Sequence, residues 1–222
     1  MATTIYPDYD GVVYKFATDT WVNIRNASSG SLNVSSNYYV QNSHTTGRGG
    51  NTYQIGRYFL EFDTSGINKT ISSATLNIHG VTSGTLDVML FKGSQSGSVV
   101  AGDFNEVDGA SSAFGASDGS GAGSLTNVSY SGDVTQYSDE ITTWSTSGYN
   151  EIALSDDAKA DIIANDTFNC VLMGFDYDVR DTAPSSATYR TQFYQDAAAA
   201  TSRDPKLIIT EQDNSVFFGT NF

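Results

Sequence analysis

Apolar and polar residues alternate with a period of two along much of the chain. Residues 52–62, TYQIGRYFLEF, place Tyr58, Leu60 and Phe62 on one side and Arg57, Phe59 and Glu61 on the other. Residues 71–81 align Ala74, Leu76 and Ile78, and residues 85–92 align Leu86, Val88 and Leu90. The most apolar stretch, 167–179, puts Val171, Met173, Phe175 and Tyr177 together. Further strands are predicted at 19–25 (DTWVNIR, anchored by Trp21), 137–144, 149–154, 187–195 and 206–211. One segment reads as helix: Ser155 is an N-cap, Asp156 and Asp157 occupy the first turn where the helix dipole favours acids, and Asn165 ends a helix over 156–164.

Eight to ten short strands with a single short helix predict an all-β fold, an antiparallel β-sandwich of jelly-roll type. Polar turns separate the strands. Residues 26–51 are rich in Ser, Asn and Gly around an aromatic island at Tyr38, Tyr39 and Val40, and 93–135 form a Gly/Ser/Asp-rich insert. The organisation read from the sequence is an N-terminal arm at 1–12, one sandwich domain at 13–211 and an aromatic C-terminal tail at 212–222.

Composition sharpens this reading. The 222 residues carry 25 acids against 11 Lys and Arg, a formal net charge of −14. Such a surface argues against nucleic acid, which is bound by neutralising phosphates with cations, and against anionic membranes. No apolar run approaches the ~20 residues of a membrane-spanning helix, and the opening MATTIYPDYDGVVYK has no basic-then-apolar leader pattern. Cys170 is the single cysteine; it sits in the apolar run CVLMGF and is expected to be buried and inert.

Three short patches carry a resemblance. They are Phe62-Asp63 followed by Ser73-Ala74-Thr75-Leu76, the opening Asp19-Thr20-Trp21, and Arg203-x-Pro205-x-Leu207-Ile208-Ile209. In these the chain resembles the DNRLRE-type β-sandwich domains, although the six-letter string that names the family is absent and the glycine-rich insert is long. The resemblance implies a carbohydrate-binding-like jelly roll, found beside secreted enzymes, on cell surfaces and in phage particles. The polar start, acid-rich loops and glycine-rich turns are similar to structural proteins of marine tailed phages. On that basis the expected protein is a non-enzymatic virion structural protein: a head-decoration or fibre-type module on the virion surface, made in the host cytoplasm. Its expected partners are other capsid or tail proteins, copies of itself in an oligomer or symmetric array, and host glycans. The alternative is a carbohydrate-binding accessory or adhesion module of a secreted polysaccharide-active system.

Candidate chemistry is sparse. His44 and His79 lie far apart without neighbouring Cys or His, so neither predicts a zinc site, and no nucleophile–base pair is marked. Asp176, Asp178 and Asp181, and secondarily Asp103, Glu106 and Asp108, are candidates for calcium, the one cofactor the chain suggests, although none is required; the alternative is a solvated strand face. Tyr38, Tyr39, Tyr149 and Tyr194 are candidates for stacking on sugar rings, the alternative being cover for sheet edges. Phe217, Phe218 and Phe222 of the tail either fold back on the sandwich or make an assembly contact, because apolar area left in water costs roughly 25 cal/mol per Å².

Overall fold

A computed structural model of the chain describes residues 2–33, 37–108, 134–194 and 202–212. The alternating segment 52–62 lies within the long strand β5 (Gly50–Asp63). Arg57, Tyr58, Phe59, Leu60 and Phe62 are all buried, so both faces of this strand are covered. It pairs antiparallel with β2 (Tyr9–Thr18), β4 (Asn37–Gly47) and β9 (Thr167–Gly174). Beyond these, β3 (Ser31–Asn33) flanks β2, β7 (Val88–Lys92) flanks β9, and β10 (Thr188–Tyr194) flanks β4. The opposing layer holds β1 (Ala2–Ile5), β11 (Lys206–Glu211), β6 (Ile71–Gly84) and β8 (Tyr149–Ala153), in the order β1-β11-β6-β8. Strand β6 joins the layers: its first half lies between β11 and β8, and Gly80 and Gly84 pair with β10.

The result is an all-β antiparallel sandwich of jelly-roll type, as the alternation predicts. The inner core contains Tyr58, Leu60 and Phe62 of β5, Leu76 and Ile78 of β6, Leu90 of β7, Phe168, Cys170 and Leu172 of β9, and Leu207 and Ile209 of β11. Burial pushes the Cys170 thiol upward and keeps it protonated. The predicted helix is α2 (Asp156–Ala164); the Ser155 side chain accepts from the Ala158 amide, and Ala158 and Ile162 face the core.

A second core lies on the outer face of the β2–β5–β9–β7 layer, where Val13, Phe59, Met89, Phe91, Val171 and Met173 meet Trp21, Ile24, Phe104 and Val179. The predicted strand 19–25 is instead the short helix α1 (Trp21–Arg25). Thr20 Oγ1 caps the Asn23 amide, and Asp19 Oδ1 accepts from the Thr20 amide and from Asn23 Nδ2. Burial of Trp21, Ile24 and Arg25 on one side then outweighs the β preference of the string. The expected strand 167–179 stops at Gly174 and turns into a π-helical turn over Phe175–Val179.

Arg57 joins these covering elements from beneath. Its Nε and Nη2 donate to Asp178 Oδ2 and Oδ1, each at 2.8 Å. Nη1 donates to the Phe104 carbonyl at 2.7 Å and Nη2 to the Arg25 carbonyl at 3.1 Å. Arg25 Nε donates to the Asp178 carbonyl at 2.6 Å, and its Nη1 lies 3.6 Å from Asp181. Arg57 and Asp178 are both fully buried.

Three other segments depart from expectation. Residues 2–5 and 9–12, read as part of an arm, are β1 on the edge of one layer and the start of β2 within the other. The arm region holds hydrogen-bonding partners for β11 and β5 that its polarity concealed. Segment 137–144 is irregular and touches β7 by isolated bridges such as Val88–Ile141. The polar run 26–51 contains β4, whose hairpin turns at Gly47–Gly50 into β5, with Gly50 at a φ of 114° that disfavours side chains. The assembly candidates Phe217, Phe218 and Phe222, and most of the tail, lie outside the described residues.

Two stability outcomes follow from these contacts. Asp178→Ala leaves two buried guanidinium groups short of their carboxylate and should cost about 3–5 kcal/mol in urea denaturation. Ser155→Ala removes one helix cap and should cost about 1 kcal/mol in the same assay.

Candidate functional site

The outer face of the β8–β6–β10 surface gathers aromatic and cationic groups. Strand pairing sets His79 opposite Tyr149, and Gly80 opposite Phe193, the residue before Tyr194. His79 therefore lies between two tyrosines, with ring centroids 5.2 Å from Tyr149 and 5.5 Å from Tyr194, both edge-on. His79 Nδ1 lies 2.9 Å from the Gly80 carbonyl and must carry the proton it donates there, which orients the ring.

Each tyrosine also meets a cation from the segment entering β11. Lys206 Nζ lies 4.1 Å above the Tyr149 ring centroid. The Arg203 guanidinium lies 4.9 Å from the Tyr194 ring centroid, and its Nη1 donates to the Tyr194 hydroxyl at 2.8 Å. Tyr149 Oη donates to the Ser202 and Asp204 carbonyls at 3.0 and 2.9 Å. Burial, then the Asp204 charge, raises the Tyr149 phenol above its ordinary range, which keeps this donor protonated.

Tyr149 continues into a cleft of about 580 Å³ with Thr143, Trp144, Ser145, Asn150 and Glu151. The Trp144–Ser145 wall sits against β6 because Gly80 has no side chain: a Cβ there would lie 1.8 Å from the Ser145 carbonyl. Asn150 is buried and its amide is engaged by the Ser145 and Ile78 backbone, which leaves the exposed Thr143 hydroxyl and Glu151 carboxylate beside the aromatic rings as a polar, shallow surface suited to a hydroxyl-rich ligand. A second cleft, of about 510 Å³, is lined by Lys92, Tyr137 and Asp161. There Asp161 already accepts from Tyr137 at 2.5 Å and pairs with Lys92 at 3.0 Å, so the charged groups satisfy one another.

Of the four tyrosines singled out from the sequence, Tyr149 and Tyr194 are thus brought together. Tyr39 is half-buried opposite Gln192, which places it by alternation on the same face of β10 as Tyr194. Tyr38 is buried in the inner core against Tyr58 and Phe193, so the sugar-stacking expectation is corrected for it: β4 turns its ring inward. Arg203 and Lys206 were not singled out as ligand groups; the available signal was two cations within four residues of a chain with few.

The calcium trio does not assemble. Asp178 is held by Arg57 and Arg25 because the π turn aims it inward where a strand would have exposed it, and Asp181, beyond that turn, accepts from Trp21 Nε1 at 3.1 Å. Asp103 accepts from the Val100 amide and Glu106 from Ser94 Oγ, so that second cluster is engaged in local turns. Asp176 instead joins Asp87 and Glu140, with carboxylate oxygens within 4.8 Å of one another. Burial, then Asp176, raises the Asp87 carboxyl above its ordinary value. Burial raises Glu140 as well; Arg180 opposes that rise, and Asp87 and Asp176 add to it.

No protein-family model matches the chain, and no curated protein matches it.

A raised carboxyl pKa means that the folded chain holds protons more tightly than the unfolded chain. Its stabilising contribution is complete below the ordinary values of 3.8 and 4.5 and is lost as pH rises through the raised values. Asp87→Asn should therefore melt above the parent protein at about pH 7, with the difference shrinking toward about pH 4, in thermal scans across that range.

Proposed function

We propose that this chain is a non-enzymatic structural module of a tailed-phage particle, of head-decoration or fibre type, that faces outward and contacts host glycans. The observation that carries the ligand half of this reading is the convergence of Tyr149, His79 and Tyr194 beside a cleft with Thr143 and Glu151. Rigid aromatic rings flanked by hydroxyl and carboxylate groups offer CH-packing surface and hydroxyl partners together. The particle half is supported by the resemblance carried at Phe62-Asp63, Ser73–Leu76 and Arg203–Ile209 and by the acid-rich composition. In this reading Phe217, Phe218 and Phe222 of the C-terminal segment are the assembly contact, other virion proteins and further copies of the chain are the partners, and no cofactor is needed.

The second reading, a carbohydrate-binding accessory or adhesion module of a secreted polysaccharide-active system, is favoured by the same aromatic face and differs in where the protein resides.

Two measurements test the proposal. Mass spectrometry and electron microscopy of purified particles should place the protein on them in symmetric copies. A glycan array probed with the purified chain should give binding that Tyr194→Ala lowers about tenfold, the ~1.4 kcal/mol scale of one lost aromatic contact. Glycan binding without particle association transfers the protein to the second reading, and a blank array removes the ligand half.

A further inference from the structure

One end of the β7–β9–β5 surface carries polar atoms that the second core does not use. Glu61 stands directly opposite Asn169 in the β5–β9 pair, which sets their Cβ atoms about 5 Å apart. Gly93, just beyond β7, donates its amide to the Asn169 carbonyl at 3.1 Å and extends the same row. Gln95 folds back over this row. Its Nε2 donates to the Leu60 carbonyl at 3.0 Å, and its Oε1 lies 2.0 Å from where a Cβ on Gly93 would stand. Asn169 Nδ2 donates in turn to the Gln95 carbonyl at 2.8 Å.

These bonds fix which way each amide points, because turning either one over would set its oxygen against a carbonyl oxygen. They leave Gln95 Oε1 and Asn169 Oδ1 as buried acceptors without a donor, and Gln95 is only 2% exposed. Beside them lies the buried Glu61 carboxylate, whose Oε2 accepts from the Gly97 amide at 3.0 Å. Burial raises the Glu61 carboxyl above its ordinary value; the Gly97 amide opposes that rise, and a second acid, Asp8, adds to it. Orphaned amide oxygens gathered with a carboxylate in one buried corner require a positive charge or a donor that the chain does not supply.

We propose that Glu61, Gln95 and Asn169 bind a calcium ion, with Glu61 supplying the charge and the two side-chain amides supplying neutral oxygens.

Calcium accepts a mixture of carboxylate, amide and water oxygens, roughly six to eight in a flexible shell. Magnesium demands a near-ideal octahedron and gives up its water reluctantly, which amides already fixed by other bonds suit poorly. The ion would tie segment 93–97 to the β5–β9 pair, which that segment already meets at Leu60, Glu61 and Asn169. The Asp87–Glu140–Asp176 group is a separate place, where Arg180 already supplies positive charge. The calcium corner also lies on the layer away from the aromatic face, so it does not rest on the glycan reading.

The test uses the full chain after dialysis against a chelator. Calorimetry should detect calcium binding, and calcium at about a hundredfold excess over its Kd should raise the melting temperature by about 5–10 °C. Glu61→Gln keeps the side-chain shape and an acceptor for the Gly97 amide while removing the charge. It should bind calcium at least about tenfold more weakly, lose the melting shift, and melt no lower than the parent in chelator. Asp176→Asn should keep the parent's calcium response. Independently of any variant, crystals soaked in terbium, a calcium substitute, should show an anomalous peak beside Glu61 and Asn169. Absence of both heat and melting shift with calcium overturns the proposal and leaves water as the donor to the two amides. A calcium response that Glu61→Gln retains or that Asp176→Asn abolishes, or a terbium peak only elsewhere, overturns the site.

Discussion

A fully buried arginine in the middle of a sheet demands compensation, and much of this molecule is arranged around meeting that demand. Desolvating the Arg57 guanidinium is costly unless its donors are paired. They are paired by the two oxygens of Asp178 and by the carbonyls of Phe104 and Arg25. Those four partners come from three separate covering elements, namely the π turn, the 3₁₀ turn at Ala101–Asn105 and α1. One side chain of β5 thereby fixes what lies above it. Arg57 also stacks on Phe104, with the guanidinium carbon 4.4 Å from the ring centroid, so the polar network and the second apolar core share a residue.

The consequence is a sandwich of two sheets with two cores. The inner core holds the two sheets together, and the outer core seals the far face of the β2–β5–β9–β7 layer. The outer face of the opposing layer continues along β6 onto β10. On it the tyrosines, His79, Lys206 and Arg203 gather at the junction where β6 passes from β8 to β10. The proposed ligand surface at that junction draws on β6, β8, β10 and the entry to β11, whose strand pairing sets the rings beside one another.

Several elements were legible before any coordinates. The alternation at 52–62, 71–81 and 206–211 marks strands because each has one face on the inner core. Ser155, Asp156 and Asp157 mark α2 because capping is local chemistry. Tyr149 and Tyr194 were recognisable as aromatics outside the core pattern. By contrast, β1 and β4 are polar strands whose evidence lies in their partners, and α1 looks like a strand until Trp21, Ile24 and Arg25 have a surface to cover.

The chain's own order of residues determined a β-sandwich with one capped helix, a buried thiol and an acidic exterior, since period-two alternation, capping and net charge act over a few neighbours or over the whole composition. Tertiary structure decided which polar residues are neutralised and which are presented. Asp178 and Asp176 are two residues apart, yet the π turn sends one to Arg57 inside and the other to Asp87 and Glu140. His79, Tyr149, Tyr194 and Arg203 are distant in the chain and adjacent in space because β-sheet pairing, unlike a helix, joins residues with no fixed separation.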